Sequence, residues 1–551
     1  MKRIFLLLIF LLSFSLCCCS LLSGLLGTSS NEKVIETDVP VNTTGEVYLV
    51  KLNMSQKIIK GENTGYVSGV SSRAAAESEN SYYANEAFLR DINNQITQGV
   101  NNYYASGARA AASQSSVVTG YSTKTYGTTE KFWSYVDTKT ERTLLGGTQE
   151  VNIPGQLTTT KKYEGKHCYV YADNKNSNSV SKGISLSDAD YKALGEKFDS
   201  CYELETSVLG NPLYQKYNSD FFVPCNQKIV ILVSDLFGDA TEDQESGTVG
   251  YFYSGDLYNQ TFLDETAGLN KGKTYSDNDY IHSNSCEMFY IDALFYSKLP
   301  ETVYSTLVHE FNHMINYVIK TVNYMTQKTS ATSLRACDTW FTEMLAMTTE
   351  DMFQKYLGID DQHSPKARLP NFGMAYYYGF KNWDDKNVNP LIFYANTYAF
   401  GAFLARNFGG IDLIKEIAQN DYVNEQAITK ALQKVNPNYK DLYTGETIEL
   451  DIDYAVRRFS ACVVFTEEGD DYTLNKGTAF TKEGLGFDKL NISTKIDYEG
   501  TVYNVPLTFK KEAKLDIYPT GFTVHYVGYN ISGFKLAASN NEYLEYYLVT
   551  K

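Results

Sequence analysis

His309-Glu310-Phe311-Asn312-His313 lies inside Leu299–Lys320, a run whose apolar residues recur with helical spacing. On a helix the two histidines fall one turn apart on the same face, about 5–6 Å between their Cβ atoms. Both imidazoles can then reach one tetrahedral metal ion. Glu310 sits one step round the helix, where it can hold a water beside that ion and take its proton. The chain has only six histidines in 551 residues, so this arrangement seldom arises by chance. The spacing predicts one catalytic zinc site with His309 and His313 as ligands and Glu310 as the acid/base residue.

A catalytic zinc takes three protein ligands and keeps a fourth position open. A third histidine in the metzincin arrangement would need glycine at 316 and histidine at 319, but these are Asn316 and Ile319. Downstream, His363 sits in a loop-like stretch, Asp-Asp-Gln-His-Ser-Pro, and His525 in a terminal strand. The run Asp338–Ala346 offers a carboxylate instead. Glu343 is a lone acid in an apolar helical stretch. Buried without a partner it would be costly, whereas facing Zn²⁺ it is neutralised. Glu343 is therefore the expected third ligand. Glu350 and Asp351, in a more polar turn, read as solvent-facing or lysine-paired.

The formal net charge is −16, and loss of Lys2 and Arg3 with a leader would take it lower. So acidic a chain repels a phosphate backbone, which argues against nucleic acid as a partner. Lys2-Arg3 followed by Ile4–Leu16 is too short to span a bilayer and fits a secretory signal. Cys17-Cys18-Cys19 follows it. Leu16 lies three before Cys19, which makes Cys19 the expected lipidated residue, with Cys17 and Cys18 as alternatives. The expected setting is a bacterial cell envelope, with the folded part lipid-anchored and surface-exposed, or secreted. Six further cysteines, at 168, 201, 225, 286, 337 and 462, permit three disulfides or buried thiols. The many aspartates leave room for Ca²⁺, but no EF-hand loop occurs and no calcium site is assigned.

Five segments follow from pattern and composition. Residues 1–18 are the leader, and 19–45 a Ser/Thr/Gly/Asn-rich tether. Residues 46–185 read as an N-terminal β-domain with an Ala/Ser/Asn-rich insert, in which Ala84–Val100 has helical character. Residues 186–465 read as the catalytic unit. In it a helix starts at Ser187, strands follow at Lys228–Val233, Gly250–Tyr253 and Glu287–Ala293, and then come the motif helix and further helices. Residues 466–551 alternate like strands and suggest a C-terminal β-domain. The fold class is α+β, multidomain.

The stretches His309–Tyr317 and Trp340–Ala346 resemble the hyicolysin-like zinc metallopeptidases, a gluzincin group. Gly250-Tyr251-Phe252, Phe289-Tyr290-Ile291-Asp292 and His167-Cys168-Tyr169-Val170 look like the family's preceding strands. The resemblance covers roughly residues 160–465 and more weakly the final β-domain, and residues 45–130 lie outside it. It implies a zincin-like catalytic domain (a mixed sheet followed by helices), His309, His313 and Glu343 as zinc ligands, and Glu310 as catalytic acid/base. The second helix departs from the family's more frequent Asn-Glu-Gly-Leu-Ala by carrying Thr342 before the glutamate and Met344 after it.

These readings converge on an envelope-anchored zinc metalloendopeptidase acting on extracellular proteins or peptides. Tyr394, Tyr398 and His363 are the candidates for a group that stabilises the oxyanion. The strand Gly250–Tyr253 is a candidate sheet edge for an extended substrate. The alternative is a surface adhesin or scaffold lipoprotein with a non-proteolytic zincin-like core. A third reading is a zinc hydrolase acting on a non-peptide bond. Casein digestion with and without a chelator separates the first from the other two.

Overall fold

Ile229–Ser234 is buried along its whole length. A run of Ile, Val and Leu can meet apolar neighbours on both sheet faces at once, which suits a central strand. It pairs in parallel with Cys168–Asp173 on one side and Met288–Asp292 on the other. Gly250–Phe252 closes the sheet as an antiparallel edge beyond Met288–Asp292. On the far side the long hairpin Thr129–Arg142 and Thr148–Glu164 completes a six-stranded mixed sheet. This computed structural model describes residues 35–41, 45–67, 92–99, 101–102, 117–142, 148–176, 183–240, 247–327, 335–381, 383, 388–442, 444–466, 473–474, 479–480, 484–498, 501–510 and 513–551. The leader and the cysteines at 17–19 lie outside the described residues, as do most of the expected tether and the first part of the helix expected at Ala84–Val100. Residues 92–99 of that stretch are helical.

Helices cover the sheet. Asp188–Leu209 starts at Ser187, whose hydroxyl accepts from the Asp190 amide while the Asp190 carboxylate accepts from the Ser187 amide. The motif helix, Pro300–Tyr317, has proline in its first turn and continues as a π-helical turn through Val322. Phe311 of the motif helix meets Phe198 edge to face at 4.9 Å and stacks on Tyr202 at 5.2 Å. The second helix, Thr339–Leu357, ends at Gly358, whose φ of 72° belongs to the left-handed region that glycine adopts without strain. Pro390–Phe408 packs closely on it: a Cβ at Gly401 would lie 2.2 Å from Thr348 Oγ1 and 2.9 Å from Met344 Cγ. Only glycine permits that approach. The mixed sheet followed by helices agrees with the expected α+β class.

Sheet pairing crosses the expected segment boundaries. The strands between 129 and 173, assigned from sequence to an N-terminal β-domain, share the central sheet with Ile229–Ser234. Glu46–Asn53 lies instead between two C-terminal strands, Phe522–Tyr529 and Leu544–Thr550, antiparallel to both. Ile35–Pro40 pairs with Gly533–Ala538 in a neighbouring sheet. The two chain ends thus build one β unit. Alternation identifies a strand and its buried face but not its partner, because pairing is decided by contacts far apart in sequence. Val47 and Leu49 face a small core with Leu536 and Leu548. Val50 and Leu52 join the main core with Phe522 and Val549. Lys51, in the same strand, is fully buried, and its ammonium donates to the Gly65 carbonyl at 2.6 Å.

Six cysteines are free thiols, five of them buried, so no disulfide joins these described residues. Among the described residues no helix is long and apolar enough to cross a membrane.

Candidate metal centre

Two helices supply the cluster. His309 and His313 project from one face of the motif helix with their Nε2 atoms 3.0 Å apart. Glu343 comes from the second helix, one oxygen 3.3 Å from His309 Nε2 and the other 3.5 Å from His313 Nε2. Candidate donor atoms from the three residues all lie within 4.8 Å of one another. This N, N, O set on neighbouring helices fits the ligand chemistry and number of a catalytic zinc.

Glu350, read from sequence as a surface acid, is a correction. One of its oxygens lies 2.7 Å from His309 Nδ1, and the other accepts from Ser305 Oγ at 2.5 Å. A carboxylate at Nδ1 favours the proton there and leaves the Nε2 lone pair facing the cluster, the tautomer a metal needs. The signal was present in the sequence: Glu343 and Glu350 are seven apart, two helical turns, and so share a face. Asp351 also differs from expectation. It is buried and accepts from Arg406 at 2.8 and 3.1 Å and from the Tyr398 hydroxyl at 3.0 Å. This bidentate pair ties the second helix to Pro390–Phe408. Asn312 Nδ2 adds a bond to Thr349 Oγ1 at 2.9 Å, which locks the motif helix to the second helix beside the cluster.

Glu310 is 5% exposed and faces the cleft beside Phe252 of the sheet edge. Burial pushes its carboxyl up to about 8. Burial also pulls His313 down to about 4. His309 behaves oppositely: burial pulls it down, but Glu343 and Glu350 outweigh that and hold it well above the usual range. A cluster that raises a buried imidazole this way favours positive charge at its centre.

The same cleft is lined by Gly250–Phe252, Thr342, His363, Arg368 and Tyr394. The Asp292 amide donates to the Val249 carbonyl, so antiparallel alternation turns the polar groups of Gly250 and Phe252 to the outer edge. Tyr398 does not line the cleft: it is fully buried with its hydroxyl on Asp351. His525 is buried in the terminal sheet between Lys510 and Thr523.

No family model matches the chain. Over 285 residues it is 28% identical to the neutral metalloprotease ShpI of Staphylococcus hyicus, covering 50% of this chain and 53% of that protein. The chain thus matches about half the length of that relative. Among solved structures, an aminopeptidase N family protein from Idiomarina loihiensis aligns over 72% of this chain and 75% of its own at 11% identity. Its TM-score of 0.26 is too low for the likeness to carry an argument. The resemblance to the hyicolysin-like metallopeptidases read from His309–Tyr317 and Trp340–Ala346 is supported by the match to ShpI.

Proposed function

We propose that the protein is a zinc-dependent endopeptidase in which His309, His313 and Glu343 hold the ion. The observation that carries this reading is the convergence of two imidazole nitrogens and one carboxylate in an open cleft, with Glu350 behind His309. A zinc ion held there would supply Lewis acidity, polarising the scissile carbonyl and acidifying a nearby water. Glu310 takes the proton of the attacking water on its carboxylate and returns it to the nitrogen of the leaving amine. Such acid–base assistance contributes about 10²–10⁴-fold to a rate. An extended substrate would add as a further strand beside Gly250–Phe252, using the outward polar groups of Gly250. Tyr394 and His363, both in the cleft, are the candidates to donate to the oxyanion.

The substrates are proteins or peptides outside the cell, reached from an envelope anchor on Cys19. The test is digestion of unfolded casein by the purified protein. Cleavage that a chelator stops and zinc restores is the expected result. Intact casein under every metal condition would overturn the peptidase and leave the binding-protein and non-peptide hydrolase alternatives.

A further inference from the structure

The cleft is an acidic place. Glu310, Glu343 and Glu350 surround the cluster, and Glu301 and Asp360 stand with His363 at the rim. Arg368 is the sole lysine or arginine among the described residues lining it. Other half-buried or buried arginines spend donors within the protein: Arg406 on Asp351, Arg457 on Glu545, Arg335 on the carbonyls of Lys320 and Asp421, and Arg458 on the Tyr439 hydroxyl. Arg368 does not. Its guanidinium carbon lies 5.2 Å from the centre of the Tyr394 ring, and it has no ion pair or hydrogen bond among the described residues. Contact with a ring face stabilises the cation without using any of its N–H donors.

The position is also fixed in advance. Arg368 closes the short 3₁₀ helix Pro365–Arg368. Its neighbours Pro365 and Leu369 are buried, and Lys366 is tied to Asp361 at 3.3 Å. A half-buried guanidinium, mounted on packed backbone with its donors unspent, is built to receive a planar anion. Surrounding carboxylates repel such an anion elsewhere in the cleft, so Arg368 also decides where it can sit.

We propose that Arg368, backed by Tyr394, is a substrate-carboxylate subsite of this cleft, taking an acidic side chain or the C-terminal carboxylate of the peptide. The proposal rests on the peptidase reading and assigns that enzyme a charge preference. Both sources present the same chemistry, a carboxylate for a bidentate guanidinium.

The experiment uses matched peptide pairs: Glu against Gln at each position near the cleaved bond, and free-acid against amidated C-termini. Wild type should favour the carboxylate member of one pair by about tenfold in kcat/KM. A difference in the Glu/Gln pairs assigns the side chain, and one in the acid/amide pair assigns the C-terminus. Arg368→Gln should bring that ratio to about one, and Arg368→Lys should keep part of it. Equal rates for every pair in wild type, or a preference that survives Arg368→Gln, would overturn the subsite. The same pairs are titrated by fluorescence anisotropy onto Glu310→Gln protein and onto Glu310→Gln with Arg368→Gln. The carboxylate preference should appear on Glu310→Gln protein and vanish in the double variant; equal affinity for both members of every pair on Glu310→Gln alone would also overturn the subsite. Absence of any cleavage by wild type would count against the peptidase reading alone.

Discussion

The helix pair that carries the candidate centre and the β unit made by the chain ends are assembled by opposite rules. In the first, His309, His313, Glu343 and Glu350 come from two helices spanning Pro300–Tyr317 and Thr339–Leu357. Helical spacing alone decides which of them share a face. In the second, Glu46–Asn53 is held between strands from the other end of the chain. Nothing near it in sequence names those partners. Chemistry placed on local geometry tolerates distant change, while a sheet closed across the whole chain makes the fold depend on its two ends. Substitutions in the two regions should therefore fail differently, the first in activity and metal, the second in stability.

The largest effect is expected at Glu310. Glu310→Gln should lower casein cleavage by about 10²–10⁴-fold with the metal content unchanged. Wild-type turnover in that variant would remove Glu310 from the reaction. Next comes Glu350, which acts through His309. Glu350→Ala should weaken zinc binding by about 10–100-fold, read by competition with a chromogenic chelator, with little change in thermal stability. Unchanged affinity would mean that the contact at 2.7 Å to His309 does not orient the ligand.

The smallest effect lies in the β unit and has a pH signature. Burial lowers the Lys51 ammonium from its usual 10.5 to about 7. Between these values the unfolded chain holds a proton on Lys51 that the folded protein does not, so this group makes stability rise with pH from about 7 to about 10.5. Below pH 7 both states are protonated and the cost of burying the charge is greatest. Relative to Lys51→Met, wild type should gain stability over that window at no more than about 1.4 kcal/mol per pH unit in denaturant titrations. A flat difference would show that Lys51 is charged throughout. Casein cleavage by folded Lys51→Met should match wild type, which separates the two regions.

The same contrast explains what the sequence revealed. The motif helix was legible because two histidines four apart state their own geometry, and Glu343 because an isolated acid in an apolar helix asks for a cation. Glu350 was missed by reading its turn as polar, although its seven-residue spacing from Glu343 set it on the same face. Asp351 was missed for another reason. Its partners, Arg406 and Tyr398, lie about fifty residues away, and only packing brings them together. The buried strand Ile229–Ser234 was plain from its apolar run, and the helix start at Ser187 from its capping pattern. Which strands join it was not plain: Cys168–Asp173 and Glu46–Asn53 both read as strands, yet one enters the central sheet and the other the terminal one. Strand patterns record burial, and partner choice is recorded only in the assembled core.

Metal analysis of purified wild type and Glu343→Ala tests the central claim most directly. The account predicts one tightly bound zinc per wild-type chain and a clear loss of it in the variant, with the circular dichroism of both proteins alike. Full zinc in well-folded Glu343→Ala, or none in wild type after dialysis against zinc, would contradict it.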